Sequence, residues 1–149
     1  MKKKGKKFIC FLAGKGPLEK ELYRLTADFN LQKHIHFLGF IDHLPELLSL
    51  GDIFILPSIN EGLGSVLLEA IHYDCSLIGA DSGGIPEIVK NNHTGLLVDP
   101  LNPEDIANKI EKLMGDPTLQ QSLRKAAQTH LNSNFRKDYI VKNIVEILQ

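Results

Sequence analysis

The chain has 149 residues, 43% of them apolar and 23% charged, which is enough for one domain with a sound core and ordinary for a soluble globular protein. Its net charge of -1 hides an asymmetry, because five of the 17 basic residues are Lys2, Lys3, Lys4, Lys6 and Lys7. The body from Phe8 onward is acidic, which argues against a nucleic-acid groove and leaves residues 1–7 as a solvated, disordered start.

The apolar run Phe8–Ala13 is too short for a secretory signal, and no run is long enough to span a membrane. Cys10 and Cys75 stand in or beside strand-like runs and make no disulfide framework, so reduced, buried thiols in a cytoplasmic protein are expected.

Short apolar runs alternate with helical patterns along the chain. Phe8–Ala13 reads as a strand buried on both faces, ended by Gly14-Lys15-Gly16-Pro17. A helix over Leu18–Phe29, a strand over His34–Leu38 and a short helix over Pro45–Leu50 follow. Asp52–Leu56 is a third strand and Leu63–Tyr73 the next helix. Ser76–Ala80 is a fourth strand, after which Ser82-Gly83-Gly84-Ile85-Pro86-Glu87 opens a short helix. Gly95–Val98 is a fifth strand. Helices over Pro103–Met114, Thr118 to about Leu131, and about Lys137 to Leu148 complete the chain.

Strands alternating with helices across short links predict an α/β fold: a doubly wound, Rossmann-like parallel sheet of about five strands with helices on both faces, over residues 8–149. Ligands bind such sheets at the carboxyl ends of the strands, so the loops Gly14–Pro17, Gly39–Leu44, Pro57–Gly64 and Asp81–Glu87 are the candidates.

In Pro57–Ala70, the residues Leu63, Val66, Leu67, Ala70 and Ile71 have the spacing of a helix core stripe, while Glu61, Ser65, Glu69 and His72 share another. Gly62 and Gly64 stand at the expected helix mouth, where free amides and a positive dipole suit a phosphate or sugar oxygen. From there Glu69, roughly 9 Å along a helix begun at Leu63, can meet sugar hydroxyls. Spacing alone favours the plainer reading of a solvated face with acids at the positive end. Gly83-Gly84-Ile85-Pro86-Glu87 offers a second mouth with exposed amides, or simply a structural turn. Gly14-Lys15-Gly16-Pro17 lacks the third glycine of the dinucleotide fingerprint and the ending of a P-loop. The cysteines and histidines have no metal spacing, and no Gly-x-Ser-x-Gly elbow occurs.

The segments AGKGP (13–17), HFLGFIDHLPELL (36–48), DIFILPSINEGLGSVLLEA (52–70), DSGGIPEIV (81–89) and TGLLVDPLNPEDIANKI (94–110) closely resemble the C-terminal, donor-binding half of retaining GT-B glycosyltransferases. This is the large family that includes sucrose and glycogen synthases. The E-x7-E element followed by GG-x-P-E is a specific signature, and the match runs in order over about Phe8 to Met114.

The resemblance implies a hexosyltransferase that moves a sugar from a nucleotide-diphosphate sugar to an acceptor with retention and without a metal. It implies that Glu61 lies by the donor sugar as the catalytic carboxylate and that Glu69 binds the ribose. Gly62, Leu63, Gly64 and Ser65 would approach the sugar and diphosphate, and Phe40, Ile41 and Asp42 would pack around the base. The family's upstream Arg and Lys, and its acceptor domain, have no counterpart in the sequence. The chain is therefore expected to be part of a longer enzyme, inactive or nearly so alone, whose acceptor sugar or lipid is held elsewhere and whose full form associates peripherally with a membrane. Loss of the upstream strand predicts direct pairing of Phe8–Ala13 with Asp52–Leu56, in the order 2-1-3-4-5. Asp74 and Ser76 stand where glycine and proline are common; Asp tolerates the left-handed backbone. The alternatives are an epimerase-like domain, for which the acid/base residues are missing, and a non-catalytic nucleotide-binding or interaction module of the same fold. A receiver would need acidic residues after the first and third strands, which the sequence does not offer.

Overall fold

A computed structural model describes residues 7–135. The lysine run before Lys7 and the helix expected over about Lys137 to Leu148 lie outside the described residues. The chain forms two compact units, one ending at Leu44 and one beginning at Pro45.

In the first unit, β1 (Cys10–Ala13) pairs in parallel with β2 (Ile35–Gly39), and α1 (Glu19–Asp28) crosses between them. The expectation of a strand buried on both faces fails here. Phe11, Leu12 and Ala13 are exposed, and the strand's only ladder among the described residues is with β2. Apolarity alone does not show what covers a strand. His34 packs against Phe8, with its Nδ1 3.1 Å from the Phe8 carbonyl and the rings stacked at 5.1 Å.

The second unit carries α2 (Leu44–Ser49), whose first residue closes the first unit, then β3 (Ile53–Leu56), α3 (Val66–His72), β4 (Ser76–Ala80), α4 (Ile85–Ile88), β5 (Leu96–Val98), α5 (Pro103–Gly115) and α6 (Pro117–Asn134). Its sheet is parallel, in the order β3-β4-β5, with Phe54 opposite Leu77 and Ile78 opposite Leu96. The five strands expected above are all present, two in the first unit and three in the second, and all pair in parallel. Of the expected order 2-1-3-4-5, the first unit carries the β2-β1 pairing and the second the run β3-β4-β5. The architecture is Rossmann-like, with helices packed on both sides of parallel sheets.

Strand β4 is the core of its unit, buried at all five positions. Ile78, Leu96, Val98, Leu113 and Leu123 form one buried cluster, flanked by Ile53, Ile55, Ile106, Ile110 and Leu119. Each fully buried aliphatic side chain of this kind contributes about 1.5–3 kcal/mol relative to exposure. Helices α5 and α6 start on side-chain caps. Asn102 Oδ1 accepts from the amides of Glu104 and Asp105, and Asp116 Oδ1 from that of Leu119, with Pro103 and Pro117 at first-turn positions.

Arg124 on α6 ties the starts of β3 and β4 together. Its Nη2 donates to the Asp52 carbonyl and its Nε to Ser76 Oγ, both at 2.9 Å, while Asp74 lies 3.7 Å from Nη1. Ser76, unlike a proline, thereby supplies an acceptor to the guanidinium. Asp74 adopts a φ of 58°, as its position at the helix end requires.

Candidate functional site

The turn from Ile59 to Ser65 joins β3 to α3 and contains most of the predicted site residues. Helix α3 begins at Val66, three residues later than its apolar spacing suggested. The cause is Gly64, whose φ of 68° is left-handed and cannot belong to a right-handed helix. Leu63 is correspondingly 43% exposed rather than part of the core stripe, while Leu67, Ala70 and Ile71 are buried as expected.

The late start changes the geometry of the glutamates. Glu69 is exposed in the first turn of α3, only three residues past its start, or about 4.5 Å of rise. The distance of roughly 9 Å inferred for a helix starting at Leu63 is therefore about twice too long. Glu61 is half-buried, with its Cγ close to Gly64. Ser65 is exposed and makes no side-chain capping bond.

Among the described residues, the amides of Gly62, Leu63, Gly64 and Ser65 donate no hydrogen bond within the chain. Four adjacent unused donors at the carboxyl end of a parallel strand, beside two carboxylates, can bind an anionic group and the hydroxyls next to it.

Of the amides expected to be free at Gly83-Gly84, that of Gly84 is taken. The Gly84 amide donates to the Gly62 carbonyl at 2.8 Å, so the loop after β4 lies directly against the turn after β3. This partnership had no readable signal, because nothing in two consecutive glycines says which backbone they approach.

Phe40, Ile41 and Asp42 belong to the first unit, in the loop after β2. Phe40 is 72% exposed and Asp42 is exposed, whereas Ile41 is half-buried. The Gly14 amide donates to the Gly39 carbonyl at 2.7 Å, so the loops after β1 and β2 lie together.

A concavity of about 320 Å³ opens at the carboxyl ends of β4 and β5, lined by Asp81, Asn91, Leu97, Asp99, Pro100 and Asp105. It contains none of the predicted site residues. Two of its carboxylates serve the backbone: Asp105 Oδ2 accepts from the Asp99 amide and Asp99 Oδ1 from that of Leu101. Among the described residues, no cluster of three or more His, Cys, Asp or Glu is placed to hold a metal ion, and no helix is long and apolar enough to cross a membrane.

The model of the family described as glycosyl transferases group 1 matches residues 1–130. The chain belongs to that family. It is 30% identical over 127 residues to an alpha-D-kanosaminyltransferase of Streptomyces kanamyceticus, covering 84% of this chain and 33% of that protein. Among solved structures it resembles Alr3699/HepE of Anabaena in complex with UDP, with a TM-score of 0.85 and 26% identity over 95% of this chain and 40% of that one. It also resembles the C-terminal domain of the group 1 glycosyl transferase LpcC of Francisella tularensis, with a TM-score of 0.75 and 29% identity over 80% and 63% of the two chains. The chain thus spans about a third of the length of the curated relatives it matches.

Proposed function

We propose that this group 1 glycosyltransferase chain supplies the nucleotide-sugar-binding part of a hexosyltransferase that retains the configuration at the transferred sugar. The observation that carries the reading is the row of unused amides at Gly62, Leu63, Gly64 and Ser65, bracketed by Glu61 and Glu69. In this reading the amides receive the donor's diphosphate, Glu69 accepts hydrogen bonds from the ribose, and Glu61 faces the sugar. Phe40, Ile41 and Asp42 are assigned to the base. The complex of the Anabaena protein with UDP supports a uridine nucleotide as the first donor to test.

The bond between the sugar's anomeric carbon and the diphosphate oxygen breaks with its electrons passing to the diphosphate. An acceptor hydroxyl bonds to the same face of that carbon and gives its proton to the departing diphosphate. Backbone donors aimed at the leaving group stabilise the charge that develops on it, which is electrostatic catalysis by preorganised dipoles. The acceptor, and a membrane as its location, are assigned to the parts of the whole enzyme beyond this length.

A thermal-shift titration with UDP, GDP and ADP and their hexose conjugates tests the reading. A ligand that binds only the folded state adds about 2.7 kcal/mol at a hundred times its dissociation constant. A rise in Tm with one nucleotide, lost in Glu69→Ala, is expected; no rise with any of them at millimolar concentration would refute binding by this chain.

A further inference from the structure

We propose that Ser82, Gly83 and Gly84 act as a positioning clamp that sets the direction of the amides in the Glu61–Gly64 turn. The proposal rests on the donor-site reading for its functional consequence, but its geometry stands apart from it.

Three contacts make the clamp. Ser82 Oγ donates to the Ile59 carbonyl at one end of the turn. The Gly84 amide donates to the Gly62 carbonyl at 2.8 Å, with a longer approach of 3.4 Å to the Glu61 carbonyl. The two glycines press on the same carbonyls: a Cβ on Gly83 would stand 2.2 Å from the Glu61 oxygen, and one on Gly84 2.1 Å from the Gly62 oxygen.

Backbone conformation does not account for both glycines. Gly83 has a φ of 57°, for which glycine is the ordinary choice. Gly84 has a φ of -85° and a ψ of -3°, which any residue adopts. Its missing side chain is explained by the approach to Gly62, not by the turn it sits in.

The consequence follows from peptide planarity. No described peptide is cis, and in a trans peptide the carbonyl and the following N–H point in opposite directions. Drawing the Glu61 and Gly62 carbonyls toward Gly83 and Gly84 therefore turns the amides of Gly62 and Leu63 away from the clamp, where they have no partner among the described residues. The clamp prevents the peptide flips that would present carbonyls to an anion instead.

The test compares Gly84→Ala and Ser82→Ala with Gly95→Ala. Gly95 is also too crowded for a side chain, since a Cβ there would stand 2.8 Å from the Leu77 carbonyl, and its neighbours are Leu77 and Val89 rather than the turn. Amide ¹H–¹⁵N spectra of the ligand-free chain and UDP titrations are recorded for each. Gly84→Ala and Ser82→Ala should move the resonances of Gly62, Leu63 and Gly64. Gly84→Ala should weaken UDP binding by about tenfold, the equivalent of one hydrogen bond to a charged group. Ser82→Thr, which keeps the hydroxyl, should restore the wild-type spectrum of the turn, and Gly95→Ala should leave both turn resonances and affinity unchanged. If Gly84→Ala does not fold, Ser82→Ala decides through the same resonances. Unmoved turn resonances in the folded variants overturn the clamp, as does a UDP affinity unaltered despite moved resonances. A wild-type chain that binds no UDP refutes the donor site alone, and the ligand-free spectra then still decide the clamp.

Discussion

Arg124 Nε donates to Ser76 Oγ at 2.9 Å across 48 residues of sequence, so a helix near the end of the described chain fixes the first residue of the central strand. Ser76 is 1% exposed, and the same guanidinium reaches the Asp52 carbonyl. Arg124→Ala should lower unfolding free energy by about 2–3 kcal/mol, because it removes charge-assisted bonds and leaves a buried hydroxyl and a carbonyl under-satisfied. Arg124→Lys should recover less than half of that loss, since an ammonium lacks the planar fork. Urea denaturation of the three chains measures both.

Thr94 predicts a second, independent loss. Its hydroxyl is buried, donates to the Ile88 carbonyl at 2.9 Å and accepts from the Lys90 amide at 2.7 Å. Thr94→Val should cost about 1–3 kcal/mol for the two backbone groups left without a partner. Thr94→Ser keeps both bonds and should cost less than Thr94→Val in the same measurement.

Gly64→Ala should destabilise by about 1–2 kcal/mol through its left-handed φ. The new methyl would also crowd Leu67 and Leu56, at 3.2 and 3.3 Å. Relaxation toward a right-handed conformation would extend α3 toward Leu63 and consume amides of the turn, so UDP affinity should fall together with Tm. Glu69→Gln offers the contrast: the side chain is exposed, so stability should change by less than about 0.5 kcal/mol while nucleotide binding weakens.

The two thiols give a pH prediction. Burial pushes the Cys75 thiol above its ordinary value, with Arg124 pulling the other way and Asp74 and Asp52 adding to the rise; burial also raises Cys10. The folded state then holds protons that the unfolded chain releases, so stability falls as pH rises through the unfolded thiol range, from about pH 8.5 upward. Below that range the contribution is fully present. Unfolding free energies at neutral pH and at about pH 9.5 should therefore differ less in Cys75→Ala than in the wild type.

The parallel α/β class was legible because apolar runs alternate with helical spacing, and Ser76–Ala80 matches β4 residue for residue. The start of α3 was not, since the periodicity of Leu63, Val66 and Leu67 continues across a glycine whose φ only the folded backbone reveals. For the same reason the distance assigned to Glu69 was too long. Glu61 and Glu69 stand out by their spacing and their resemblance to the family, whereas the contact between Gly84 and Gly62 spans 22 residues and leaves no periodic trace. Arg124 was equally silent: nothing in its local sequence points to Ser76.

Strand β4, paired on both sides and buried throughout, has a consequence for the order in which the second unit loosens. Its amides can meet solvent deuterium only when the whole unit opens, so they should be the slowest to exchange. Those of Gly62 and Leu63 should exchange from the native state itself. The unit thus sets fast-exchanging amides, turned outward by the contact of Gly84 with Gly62, one loop away from its slowest-exchanging strand.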